Sequence, residues 1–236
     1  MTRHTLKYNG KNLKDYGLYV SGEGAWNKPA PDITKVIVPG RNGELVTFNN
    51  RYENATITYR CGIVKDFHEN FTNLIAWLYS APGYKKLVDS AHPDVYRMAL
   101  IESGISPDVK DRLKHGEFEI AFNCKPQTFL ESGDAQTPFT SSGTITNPTA
   151  FDAMPLIRVY GSGTLTVGGK TITVANNSSY IDIDCDIQDA YRGATNCNGN
   201  ITLNSGEFPT LGPGSNSVSK SSGISSVIIT PRWWRL

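Results

Sequence analysis

Apolar and polar positions alternate with a period of two through most of this chain. In ATITYRCGI the apolar set Ile57, Tyr59, Cys61 and Ile63 interleaves with Thr56, Thr58 and Arg60. Successive side chains of a strand point to opposite faces, so the segment predicts a strand with one wet face. GEFEIAFNC repeats the pattern through Phe118, Ile120, Phe122 and Cys124. In GTLTVGGKTITV, Gly168 and Gly169 separate two alternating runs, and a Gly-Gly pair supplies the positive backbone angles of a tight hairpin. Asn9-Gly10 and Asn42-Gly43 carry the same turn signal. One segment departs from the pattern. In DFHENFTNLIAWLYSAPG, Phe67, Phe71, Leu74, Ile75 and Leu78 recur at helical spacing, Asp66 and Glu69 are spaced as a capping box, and Pro82-Gly83 stops the run. A helix near 66–80 with its apolar face on a sheet is expected, in a mainly β chain whose second half shows strand signals only.

The alternation fails after Phe129. LESGDAQTPFTSSGTITNP is polar and aperiodic, the composition of a connector, and predicts a first domain over 1–130, a linker over 131–143 and a second domain over 144–236. At 236 residues and 39% apolar content the chain can fill two cores. A second polar stretch, GPGSNSVSKSSG over 212–223, reads as a long surface loop and a candidate contact loop.

Charge narrows the partners. Lys and Arg number 23 against 22 Asp and Glu, a net +1 with no field to draw the protein onto nucleic acid or anionic membrane. The first twenty residues lack the apolar core of a signal peptide, and no 18-residue apolar run occurs, so a soluble protein made in a cytoplasm is expected. Cys61, Cys124 and Cys185 sit on apolar strand positions and read as buried hydrophobes; with Cys197 they are too scattered for a disulfide framework. Neither CxxC nor HxxxH occurs, so no metal and no cofactor is expected. GxSxG, HExxH and GxxxxGK are absent too; GEGAWN at Gly22 and GSGTLT at Gly161 read as turns rather than nucleotide loops. No catalytic residue is assigned.

Two polar and aromatic groups remain. YIDIDCDI places Asp182, Asp184 and Asp186 in one stripe that could hold a cation or receive an arginine, with a solvated acidic face as the favoured reading. Tyr180, Tyr191, Trp233 and Trp234 could form a sugar-stacking platform, against the commoner use of such rings in cores and interfaces. In the terminal ITPRWWRL, Trp233 shares parity with Val227 and Ile229, whereas Trp234 shares it with Ile228, Thr230 and Arg232. Trp233 is therefore expected in the core and Trp234 outside, on Arg232 or a neighbouring strand, unless Pro231 introduces a bulge that swaps the faces.

NLKDYGLYVSGEGAWNKPAPD, VPGRNGEL, ITYRCGI, LIAWLYSAPGYKKL, NPTAFDAMPLIRVYGSGTLTVGGKTITV, YIDIDCDIQDAYRG and ITPRWWRL, in this order along nearly the whole chain, resemble the distal tail proteins of long non-contractile-tailed bacteriophages. The resemblance implies a split β-barrel-like N-terminal domain with one helix and a galectin-like C-terminal β-sandwich. It implies a structural virion protein, not an enzyme: six copies close a ring through their N-terminal domains at the tail tip, assembled in the bacterial host cytoplasm. That hub would join the tail tube to a tail-associated lysin or tail fibre protein, with tape-measure and receptor-binding proteins as further partners. Arg41, Asn42 and Gly43, in the PGRNG turn, and Trp234 are the interaction candidates. The alternatives are a carbohydrate-binding module of a cell-wall-directed protein and, more remotely, a glycan-cleaving enzyme.

Overall fold

The period-two segments of the first half fold into β1 (Leu6–Tyr8), β2 (Lys11–Asn12), β3 (Leu18–Ser21), β4 (Pro31–Ile37), β5 (Glu44–Tyr52), β6 (Ala55–Ile63), β7 (Lys85–Asp89), β8 (Val95–Leu100), β9 (Asp108–Lys110) and β10 (His115–Leu130). The computed structural model describes residues 4–21, 27–80, 82–110, 114–175 and 179–236; most of GEGAWN, residues 22–26, lies outside them. One antiparallel sheet runs β2-β1-β7-β8-β10-β6-β3, with β9 along β10. It curls until His4 bridges Val20 of the edge strand β3, which makes a split barrel. β6 and β10 pair over nine residues, from Gly116 opposite Ile63 to Cys124 opposite Ala55, and point Ile57, Tyr59, Ile120 and Phe122 into the core.

Helix α1 (Phe67–Tyr79) lays Phe67, Leu74 and Leu78 on this core. Phe71 and Phe67 stack at 5.1 Å, and Phe118 of β10 meets Phe71 edge-on at 5.1 Å. The helix start differs from the expected capping box. Asp66 is left-handed (φ 50°) and its side chain makes no cap hydrogen bond; Asn70 instead donates its side-chain amide to the Lys65 carbonyl. The left-handed backbone carries the carboxylate off the helix axis, to 3.9 Å from Lys65 Nζ.

The chain divides into two compact units between Thr128 and Phe129, with Leu236 counted to the first. The second holds β11 (Thr137–Phe139), β12 (Gly143–Asn147), β13 (Leu156–Gly161), β14 (Gly163–Val167), β15 (Lys170–Val174), β16 (Tyr180–Asp184), β17 (Asp189–Arg192), β18 (Thr195–Asn196), β19 (Ile201–Leu203), β20 (Gly214–Lys220), β21 (Ile224–Thr230) and β22 (Trp234–Arg235). Sheets β11-β21-β13-β16-β17-β18 and β12-β20-β14-β15-β19 enclose one core that includes Ile157, Ile183, Ile229, Leu165, Ile172 and Val218. Gly168 and Gly169, both at positive φ, join β14 to β15 in the two-residue hairpin that their pairing predicts.

Two polar stretches are not the loops their composition predicts. Residues 131–143, expected as a linker, hold a 3-10 turn at Glu131–Asp134 and β11, which pairs with β21 as part of the sandwich. Within 212–223, expected as a loop, β20 is an interior strand paired with β12 and β14. Its inward positions are Asn216 and Val218 and its outward ones are serines, so its apolar signal is a single residue. Asn216 satisfies its buried amide locally, donating to the carbonyls of Gly212 and Gly214.

Candidate assembly surface

β4 and β5 form a two-stranded hairpin that, among the described residues, pairs with no other strand. Their register sets Ile33 opposite Phe48, Lys35 opposite Val46 and Ile37 opposite Glu44 on one face, and Thr34 opposite Thr47 and Val36 opposite Leu45 on the other. Both faces carry exposed apolar side chains: Ile37 (77%), Phe48 (65%) and Val46 (46%) on the first, Val36 (48%) and Leu45 (43%) on the second. A half-buried hairpin would show one polar face. Apolar side chains open to solvent on both faces make the hairpin a candidate interaction surface.

Charged side chains pair along the hairpin itself. Asp32 accepts from the Asn49 amide at 2.9 Å and from Arg51, hydrogen bonds that hold its carboxyl below the usual range, and Lys35 meets Glu44 at 3.4 Å. At the tip Val38–Gly43 the chain turns through a hydrogen bond from the Arg41 amide to the Val38 carbonyl, with Gly40 and Gly43 left-handed (φ 79° and 83°). The expected two-residue turn at Asn42-Gly43 is thus a six-residue loop, because the first turn already closes at Gly40–Arg41. Arg41 and Asn42 are exposed, and among the described residues the Arg41 guanidinium has no side-chain partner.

A cleft of about 670 Å³ opens elsewhere on the first unit. Tyr19, Cys61 and Phe118 line it together with Arg60 and the carboxylates of Asp108, Glu117 and Glu119. Arg60 pairs with Glu119 at 3.2 Å, and Lys110 bridges Asp108 (3.7 Å) and Glu117 (3.5 Å). Burial pushes the Cys61 thiol up to about 12, so it stays protonated at neutral pH and offers no nucleophile. Cys124 and Cys185 are raised to about 12 by burial in the same way, and all four cysteines are free.

In the second unit the predicted residues are engaged in structure. Trp233 is buried in the sandwich core, and Trp234 is half-buried. Trp234 does not rest on Arg232: it stacks on Phe151 at 4.5 Å and donates its indole N–H to the Asp152 carbonyl at 2.9 Å. Arg232, itself left-handed at φ 58°, is drawn away to Asp184, with two hydrogen bonds of 2.7 and 2.8 Å. Asp182 takes the same grip from Arg158, at 2.6 and 2.8 Å, and Arg158 also lies 4.4 Å over the Tyr180 ring. The aspartate stripe is therefore not a solvated face: Asp182 and Asp184 are each 5% exposed, covered by the two arginines, and Asp186 leaves the strand in the following turn. With Trp233 in the core and Trp234 covered by Phe151, the four aromatics do not present a common stacking platform. Among the described residues, His, Cys, Asp and Glu nowhere gather three or more in an arrangement that could hold a metal.

Residues 11–124 match the family model described as phage tail protein RIFT-related domain. The whole chain shares its fold with the crystal structure of the Dit (gp 19.1) protein of phage SPP1, called there a paradigm of hub adsorption apparatus in Gram-positive infecting phages: TM-score 0.70, 14% identity, 96% of this chain and 97% of the other covered. Chains of the phage P2 baseplate in its activated conformation with Ca (TM-score 0.54, 10% identity, 97% of each chain) and of the phage p2 baseplate with Sr (0.54, 10%, 96% of each) are also similar. No curated protein matches. A split barrel with a hairpin outside its sheet, followed by a sandwich, is an architecture shared with phage tail proteins. Residues 11–124 thus carry a phage tail protein domain, and the fold of the whole chain is the one seen in the SPP1 Dit protein.

Proposed function

We propose that six copies of this chain close into a ring through their first domains, residues 1–130, and that the ring is the hub joining the tail tube to a tail-associated lysin or tail fibre protein during host attachment. Tape-measure and receptor-binding proteins are the further partners in this reading, and assembly takes place in the host cytoplasm. The carrying observation is the hairpin β4–β5, whose apolar side chains stand in solvent on both faces of a single chain. A head-to-tail contact that uses such a projection generates a closed ring when its rotation closes. The role is one of assembly and needs no catalytic group.

Native mass spectrometry of the full chain tests it. The expected species is six times the 25.9 kDa chain. Phe48→Glu puts a charge on a side chain that is 65% exposed, so the fold should persist, with circular dichroism unchanged, while the ring is lost. A wild-type chain that stays monomeric at every concentration would remove the ring reading.

A further inference from the structure

The geometry points to the acceptor of the hairpin: the tip of one copy seats Arg41 in the carboxylate-lined cleft between β3, β6 and β10 of a second copy. This rests on the ring reading and names the two surfaces that make its interface.

Three observations carry it. Among the described residues Arg41 is a cation without a side-chain partner, at the tip of the hairpin, while the neighbouring charges Asp32, Arg51, Lys35 and Glu44 are already paired. β4 spans seven residues, about 24 Å of extended strand, so the tip lies about that far from the hairpin's base. The cleft has the complementary excess. Among the described residues its carboxylates Asp108, Glu117 and Glu119 are paired with Arg60 and Lys110, an excess of one negative charge. Those ion pairs are solvent-exposed and individually weak, so the carboxylates can turn to an incoming guanidinium at little cost, and an arginine fork suits them through two parallel hydrogen bonds. At the cleft, Tyr19 offers apolar ring surface to Val36, Ile37 and Leu45 near the tip. A knob and a hole on different parts of one surface define a heterologous contact, the kind that closes rings.

Charge reversal tests the pairing on the full chain by native mass spectrometry across a concentration series. Glu117 is the acceptor to reverse, because Lys110 keeps Asp108 when Glu117 changes. Arg41→Glu alone and Glu117→Arg alone should each need on the order of a hundredfold more protein to assemble, since each opposes like charges across the interface. An equimolar mixture of the two variants should recover rings at wild-type concentrations with the variants alternating one to one, and the double variant R41E/E117R should recover them by itself. Recovery in the mixture also shows that both single variants are folded. Single variants that assemble like wild type, or singles that fail and are not rescued by mixing, would overturn the pairing while leaving the wild-type ring intact. A monomeric wild type would overturn the ring reading and this pairing together.

Discussion

Replacing Trp233 with alanine is expected to lower the stability of the second unit by about 3–5 kcal/mol. The indole is 5% exposed and fills the sandwich core beside Val227 and Ile229, and the neighbouring backbone leaves no means of collapsing onto the void. The Trp233 carbonyl accepts the Leu130 amide at 2.8 Å, and the Arg232 amide donates to the Gly133 carbonyl at 2.8 Å. Gly133 comes so close that a Cβ built there would lie 2.4 Å from the Trp233 amide nitrogen. The same segment that bounds the cavity is thus fixed from both sides. Trp234→Ala removes one stacking partner of Phe151 and one hydrogen bond to Asp152, and should cost about 2 kcal/mol. Urea unfolding of the full chain, followed by amide exchange of the sandwich strands, separates the two. A loss at Trp234 equal to or above that at Trp233 would contradict the orientation.

Arg232→Ala should be nearly as damaging, at about 3 kcal/mol, because it strands a buried carboxylate without its counter-charge. Burial by itself would raise the Asp184 carboxyl, but the Arg232 hydrogen bonds and charge, with the backbone amides of Asp186 and Ile187, outweigh it and hold the group below its usual range. A carboxyl depressed in the folded state adds stability that is fully present above its unfolded pKa, about 4, and is lost as the pH falls through the folded value. Wild-type stability should therefore fall with acid from about pH 4 downward, and Arg232→Ala should flatten that limb as well as lower the plateau. The paired replacement Asp184→Leu with Arg232→Met removes both charges and should recover most of the loss, since an apolar pair of similar volume can stand in for a buried ion pair. An acid limb unchanged by Arg232→Ala would show that other carboxylates govern it.

These residues also show how far a linear pattern reaches. The parity that puts Trp233 with Val227 and Ile229 holds although β21 ends at Thr230 and Arg232 is left-handed, because burial continues to alternate through Pro231 to Trp233. The alternation in ATITYRCGI and GEFEIAFNC, the helical spacing from Phe67 to Leu78 and the Gly168-Gly169 turn are each local statements, and each is found where its period places it. The family resemblance rests on those same local pieces.

What the sequence determined by itself is the set of elements and the face of each that is apolar, since both follow from the angular spacing of side chains along one segment. The tertiary structure alone decided what lies against the other face. Asp182 and Asp184 look solvated until Arg158, from the neighbouring strand β13, and Arg232, from the segment after β21, close over them; β20 and β11 look like loops until the strands beside them bond their backbones. In β4 and β5 the reverse holds: an alternating segment that would ordinarily be half-buried is left bare on both faces, because the hairpin pairs with no other strand among the described residues.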